Sequence, residues 1–229
     1  MRIPIFLLVV LLIRPWVSAV QYVINVGNNE LVPLYPAVSY SSQLVNFRFR
    51  LARIFPDVLD TIPSAIVNVT YPSSGMAVTL GNFLTPFATK DQPDVGPWVA
   101  NPLMMYTLIM LDGDGNPAST GEPYHYLKWL RYNIQGSILC SGVDFVSYQG
   151  AGPQPNSGVH RYVFLVYTQL GPINPLGAGL PHDSVNDPTR ATFHLRSFVL
   201  QNQLSGPLAG NFFRAVEDAY SAAQWAANG

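Results

Sequence analysis

The run His160-Arg161-Tyr162-Val163-Phe164-Leu165-Val166-Tyr167, entered through Gly158, limits the fold more than any other stretch of the chain. Its β-branched and aromatic residues continue without polar alternation, which suits a strand covered on both faces. Met104 to Leu111 has the same character and is short enough to be a second buried strand rather than a helix. Alternation sends His160 and Tyr162 to one face and Arg161 to the other. A proton carrier, a fixed cation and a phenol at the mouth of a stiff element suit a small anionic ligand. An ordinary core strand capped by polar residues is the competing reading.

Hydrophobic residues make up 48% of the 229 and charged residues only 11%, well under the usual share in soluble domains. With abundant proline, glycine and aromatic side chains, that balance argues against disorder and for a compact, loop-rich β protein. A net charge of -1 gives no long-range field for nucleic acid, which removes that partner class. The length fits one large domain or at most two. Cys140 is the single cysteine and forms no internal disulfide; its apolar neighbours Ile138 and Leu139 favour burial.

Arg2, the apolar run Ile3 to Ile13 and the small residues Val17-Ser18-Ala19 read as a secretory signal covering residues 1–19, which directs the chain to the secretory pathway. The run is shorter than the roughly 20 residues that span a bilayer. An uncleaved anchor is the alternative. Residues 20–40 read as an extended mature N-terminus and 41–229 as the folded domain. Asn68-Val69-Thr70 is the one N-x-S/T sequon, so Asn68 is a glycan acceptor if its strand end is exposed.

Ser42 is placed to cap a helix from Gln43 to Phe55, with Leu44, Phe47, Leu51 and Ile54 at helical spacing and Pro56 ending it. Ala65 to Tyr71 and Met76 to Leu80 read as paired strands across a Pro/Ser/Gly turn, and residues 85–102 as a loop. Tyr126 to Ile134 is a further strand, and Arg190 to Leu200 a short helix or an extended segment. Phe212, Ala215, Val216, Ala219 and Ala223 fall on one face of a terminal helix from Asn211 to Ala226. The expected fold class is mainly β (α+β), with peripheral helices and a C-terminal helix.

Asp112-Gly113-Asp114-Gly115-Asn116-Pro117 fails as a calcium loop, because Pro117 and Pro123 stand where an EF-hand needs glycine and glutamate. A turn that aims both carboxylates into a cavity is the better reading. Gly150-Ala151-Gly152-Pro153 lacks the third glycine and the following helix of a dinucleotide fingerprint. No serine triad, paired-cysteine metal motif or P-loop is present, so neither a metal nor another cofactor is implied.

Four blocks, in order over residues 53–225, resemble the phosphatidylethanolamine-binding protein (PEBP) family. They are Pro56-Asp57-Val58-Leu59 with Val69-Thr70-Tyr71-Pro72, the strand into Asp112-Gly113-Asp114, the Gly158-Val159-His160-Arg161-Tyr162 strand, and Arg190 to Phe198 with Ala209-Gly210-Asn211-Phe212-Phe213. The blocks are similar to those of secreted fungal members. The resemblance implies an antiparallel β-sandwich and an anion pocket. Onto that pocket it carries Asp112, Asp114, Pro117, Gly152, His160, Tyr162 and, at the C-terminal lip, Phe213 in place of a tyrosine.

Two departures stand out. Gly113 replaces the proline between the acids, and Lys128 occupies the position of a pocket histidine, with His125 out of register on the opposite face. Lysine is a permanent point charge unless desolvated. The pocket then holds anions more strongly, or uses Lys128 as an acid, a base or an imine-forming amine; a surface lysine on an edge strand is the competing reading. Lys128, His160 and Asp112 are the candidate catalytic groups.

The resemblance leaves binding and catalysis open. It implies an accessory or catalytic role in fungal secondary metabolism, similar to PEBP-like proteins that help a ketosteroid-isomerase-like partner couple maleate-type anhydride monomers in maleidride and nonadride formation. The alternatives are a non-catalytic binder of phospholipid headgroups or other carboxylate and phosphate anions, and an inhibitor of a serine carboxypeptidase.

Overall fold

The computed structural model describes residues 8–9, 22–25, 30–33, 40–115, 125–173 and 188–228. The chain divides into two compact units, Met1–Leu44 and Val45–Gly229. In the first unit β1 (Leu8–Val9), β2 (Tyr22–Asn25) and β3 (Glu30–Pro33) form an antiparallel sheet. Residues 20–40 therefore contain two paired strands, with Val23 opposite Val32. The expected cleavage site at Val17-Ser18-Ala19 lies outside the described residues. No helix among them is long and apolar enough to cross a membrane.

The second unit is a sandwich. Its large sheet contains β4 (Ala65–Ile66), β7 (Asn82–Phe83), β9 (Met105–Asp112), β10 (Tyr126–Gln135), β11 (Val143–Val146), β12 (His160–Gln169) and β13 (Ser205–Ala215). The order is β11-β10-β9-β12-β13-β4, with β7 also on β13. Strands β9 to β13 pair antiparallel, whereas β4 and β7 join β13 in parallel. A smaller sheet pairs β5 (Val69–Tyr71) with β6 (Met76–Ala77) and β8 (Asp94–Val95).

Between the sheets lies one core, in which Tyr106, Leu108, Met110, Trp129, Tyr162, Phe164 and Phe213 meet Val69, Tyr71, Val95 and Trp98. The other face of the large sheet presents Val163 and Leu165, also fully buried. Helix α1 (Tyr40–Leu51) covers part of that face: its Phe49 meets Phe212 edge-on at 5.2 Å. A sheet covered on both sides explains why β9 and β12 read as unbroken apolar runs.

Several expectations differ from the structure. The first helix ends at Leu51, and Arg53 follows in the left-handed region. Residues Ile54–Asp57 (α2) form a separate turn around Pro56. The face that helix buries carries Val45 and Phe49, while Phe47 and Leu51 are exposed. The expected strand from Ala65 to Tyr71 is broken at Val67-Asn68, and the exposed Asn68 accepts from Gly96 through its carbonyl.

The largest difference concerns the expected helix from Asn211 to Ala226. Residues Ser205–Ala215 are strand β13, and the helix α4 is Ala219–Asn228. Phe212 and Phe213 are both buried on opposite faces of the sheet, a demand that cross-strand pairing meets and a surface helix cannot. The true helix start is set by a reciprocal cap: Ser221 N–H donates to Asp218 Oδ1 and Asp218 N–H to Ser221 Oγ, at 2.8 and 3.0 Å. Residues Leu195–Gln201 form α3, capped by His194, whose Nδ1 accepts from Ser197 N–H. Cys140 is exposed, contrary to expectation, because the short turn Leu139–Ser141 directs Leu139 to the core instead.

Candidate functional site

The candidate site lies where β9, β10 and β12 end together on the inner face of the large sheet. Asp112 is the last residue of β9, His160 the first of β12, and Tyr126 the first of β10. In register, Asp112 stands opposite both Tyr126 and Tyr162. A cavity of about 510 Å³ opens beside them. Asp112, Tyr126, Lys128, His160 and the loop Gln149 to Gly152 line its sheet side, and Tyr220, Ser221, Gln224 and Trp225 of α4 line the other.

His160 and Asp112 form the best-defined pair, with Nδ1 and Oδ2 2.8 Å apart and both side chains buried. Burial opposes the imidazolium, but the hydrogen bond and charge of Asp112, aided by Asp114, outweigh it and raise the His160 pKa. Asp112 Oδ1 also accepts from the Asp114 N–H at 2.9 Å, which closes the turn after β9.

Lys128 owes its place to a bulge. The pairing of β10 with β9 slips between Leu127 and Trp129, so Lys128 is the extra residue on the bulged strand. Its Nζ lies 4.4 Å from the centre of the Tyr126 ring and 6.0 Å from that of Tyr162. The side chain is buried, and desolvation, with the charge of Arg190, lowers its pKa to about 8 against the pull of Asp112.

The fully buried Arg190 holds the bulge from behind. Its Nη1 reaches the carbonyls of Ser147, Leu127 and Lys128 at 3.1, 3.4 and 3.5 Å. Gln149 N–H donates to the Lys128 carbonyl at 2.8 Å, drawing the 149–152 loop against the same point.

That loop is fixed on its far side too. Ala151 N–H donates to Thr89 Oγ1 at 3.3 Å, and a Cβ at Gly150 would meet the Thr89 carbonyl at 2.5 Å. Only glycine permits this approach. Gly152 N–H donates to the Tyr162 hydroxyl at 3.2 Å, and the Gly152 carbonyl accepts from Trp225 Nε1 at 3.2 Å.

The structure brings Asp112, Lys128, Gly152 and His160 to the cavity and distributes the other expected residues differently. Asp114 turns away, because Arg161 takes its carboxylate through Nε at 2.9 Å and Nη2 at 2.6 Å. The same guanidinium donates to the carbonyls of Ala52 and Arg53, tying the β12 start to the end of α1. Arg161 holds the Asp114 carboxyl below its usual range despite the opposing effect of burial.

Phe213 is not at the lip. It is fully buried and stacks on Tyr162 with ring centres 5.0 Å apart, and neither ring lines the cavity. Pro117 lies outside the described residues. His125 is buried on the opposite face of the sheet, beside His194 and Tyr167, and burial lowers its pKa. Arg190, Tyr126 and the α4 residues were not singled out in the sequence as site residues; Asp218, a capping residue at the true helix start, was the available signal for α4.

The fold is thus a two-layer β sandwich with a cavity at the strand ends, furnished with a carboxylate, an imidazole and an amine. Residues 74–213 match the family described as Phosphatidylethanolamine-binding protein, and the chain belongs to that family. It is 40% identical over 163 residues to a 26 kDa secreted antigen of Toxocara canis, a match covering 71% of this chain and 60% of the antigen. It is 34% identical over 172 residues to CEN-like protein 4 of Nicotiana tabacum, covering 73% and 91% of the two chains. Among solved structures, the carboxypeptidase Y inhibitor complexed with its cognate proteinase shares the fold, with a TM-score of 0.63 and 22% identity over 79% of this chain and 98% of that one.

Proposed function

We propose that the cavity binds a small carboxylate or phosphate anion, with Lys128 and His160 as its cationic contacts. The observation that carries this reading is the buried Lys128 amine. Among the described residues it faces two aromatic rings and no carboxylate within bonding distance, at the base of a cavity. A desolvated cation is costly until an anion joins it. The raised pKa of His160 adds a second positive head near neutral pH. Asp112 acts as a positioning residue, holding the imidazole through Nδ1 and leaving Nε2 for the ligand.

A second reading has a specific observation behind it. An amine with a pKa near 8 beside an imidazole is able to move a proton as well as hold a charge. Proton transfer on a maleate-type dianion, with a ketosteroid-isomerase-like partner in secondary metabolism, belongs under this reading. None of the relatives named above carries such a role in its name. Export through the secretory pathway and a glycan on Asn68 complete the proposal, supported by the signal-like N-terminus and by the exposure of Asn68.

Calorimetry with phosphate, phosphoethanolamine and maleate tests the binding reading. Single-site binding of at least one anion, weakened about tenfold or more in Lys128→Ala, is expected, a loss of about 1.4 kcal/mol. Equal binding by wild type and variant contradicts it. Hydrogen exchange into a bound dianion, present in wild type and lost in His160→Gln, separates proton transfer from holding.

A further inference from the structure

We infer that Lys128 is a nucleophilic amine that forms an imine with a 2-oxo acid bound in the cavity. The inference rests on the anion-pocket reading and adds covalent chemistry to it. The chain contains only two lysines, Lys90 and Lys128, and they stand in opposite circumstances. Lys90 also lines the cavity, but as an exposed residue whose Nζ pairs with Asp91 at 3.1 Å. Lys128 is 4% exposed, and among the described residues its Nζ makes neither a hydrogen bond nor an ion pair.

Three features of the geometry favour addition to a carbonyl. The Nζ is not sealed in the core but reaches a cavity large enough for a small keto acid. The rings of Tyr126 and Tyr162 keep water from one side of the amine without taking its lone pair, and Tyr126, which lines the cavity, offers an apolar surface to the organic end of the ligand. The charged groups around the amine are placed for the rest of the reaction. His160 supplies a cation for the carboxylate and a proton for the departing oxygen, Asp112 holds His160, and Arg190 lies behind the bulge.

The step balances without any further reactant. Nζ in its neutral form attacks the carbonyl carbon, forming the C–N bond while the C=O π pair moves to oxygen. A proton then passes from nitrogen to that oxygen, giving the carbinolamine. His160 protonates the hydroxyl, the C–O bond breaks to release water, and the nitrogen lone pair closes the C=N bond of the iminium. Desolvation supports the first step: with its pKa lowered to about 8, Lys128 holds about two orders of magnitude more neutral amine near pH 7.5 than an ordinary solvated lysine.

The test incubates the whole protein with pyruvate and then borohydride, and maps the reduced adduct by peptide mass spectrometry. Maleate binding is measured by calorimetry on the same preparation. The expected result is an adduct on Lys128 but not on Lys90, suppressed by excess maleate and absent from Lys128→Arg, which keeps the charge but has no primary amine. Equal labelling of both lysines overturns the inference, since it shows only general amine reactivity. Maleate binding without any adduct also overturns it while leaving the anion pocket standing. Absence of both adduct and maleate binding removes both. If Lys128→Arg does not fold, the contrast between Lys90 and Lys128 within the wild-type protein decides the matter alone.

Discussion

Replacing Lys128 by methionine should stabilise the protein at neutral pH, by an amount that disappears in alkali. In the unfolded chain a lysine keeps its proton up to about pH 10.5, whereas in the fold Lys128 loses it near pH 8. Between those values folding releases a proton, the unfolded state binds more protons, and stability rises with pH. Below pH 8 the buried charge imposes a constant cost. The difference of about 2.5 pKa units corresponds to about 3 kcal/mol at roughly 1.4 kcal/mol per unit. Methionine has nearly the same length and no charge, so it keeps the contacts with Tyr126 and Tyr162 and removes the cost. Urea unfolding of wild type and Lys128→Met from pH 6.5 to 10 is the assay. The stability gap should be widest at pH 6.5 and shrink by about 2 to 3 kcal/mol by pH 10. A gap that stays constant across this range would mean instead that Lys128 titrates alike in the folded and unfolded states, and that its burial carries no charge cost.

Other consequences concern the support around the cavity. His160 has a raised pKa in the fold, so its stabilising contribution is present below the unfolded histidine value and is lost as pH rises through the folded one; Asp112→Asn should lower the His160 pKa in an NMR titration and flatten that part of the stability profile. Gly150→Ala places a Cβ against the Thr89 carbonyl, and should cost about 1 to 3 kcal/mol by thermal unfolding while weakening anion binding as the loop shifts. Arg161→Ala removes the bidentate contact with Asp114 on the far face; calorimetry should show unchanged anion affinity while denaturant unfolding shows a loss of about 2 kcal/mol.

The central strands were legible in sequence because their burial on both faces leaves a continuous apolar signature, and Met104 to Leu111 and His160 to Tyr167 carry it plainly. Asn211 to Ala215 carry a misleading signature. There an alanine-rich segment downstream lends helical periodicity to residues that cross-strand pairing holds in β13, and only Asp218 marks the true helix start. Asp112 and His160 were readable as site residues because each ends a strand that alternation orients. The separation of Asp114 from the cavity was not, since it depends on Arg161 arriving from another strand to claim its carboxylate. Lys128 was placed by family register, but the bulge that turns it inward arises from pairing with β9 and from Arg190, distant in sequence. Cys140 shows the same limit in miniature: apolar neighbours do not bury a residue when a tight turn points it outward.

The most direct test of the anion pocket is diffraction from crystals soaked in selenate, an oxyanion visible by anomalous scattering. A peak is expected within hydrogen-bonding distance of both Lys128 Nζ and His160 Nε2, with the His160–Asp112 pair retained. A peak bound elsewhere, with the cavity between the 149–152 loop and α4 left without anion density, would contradict it.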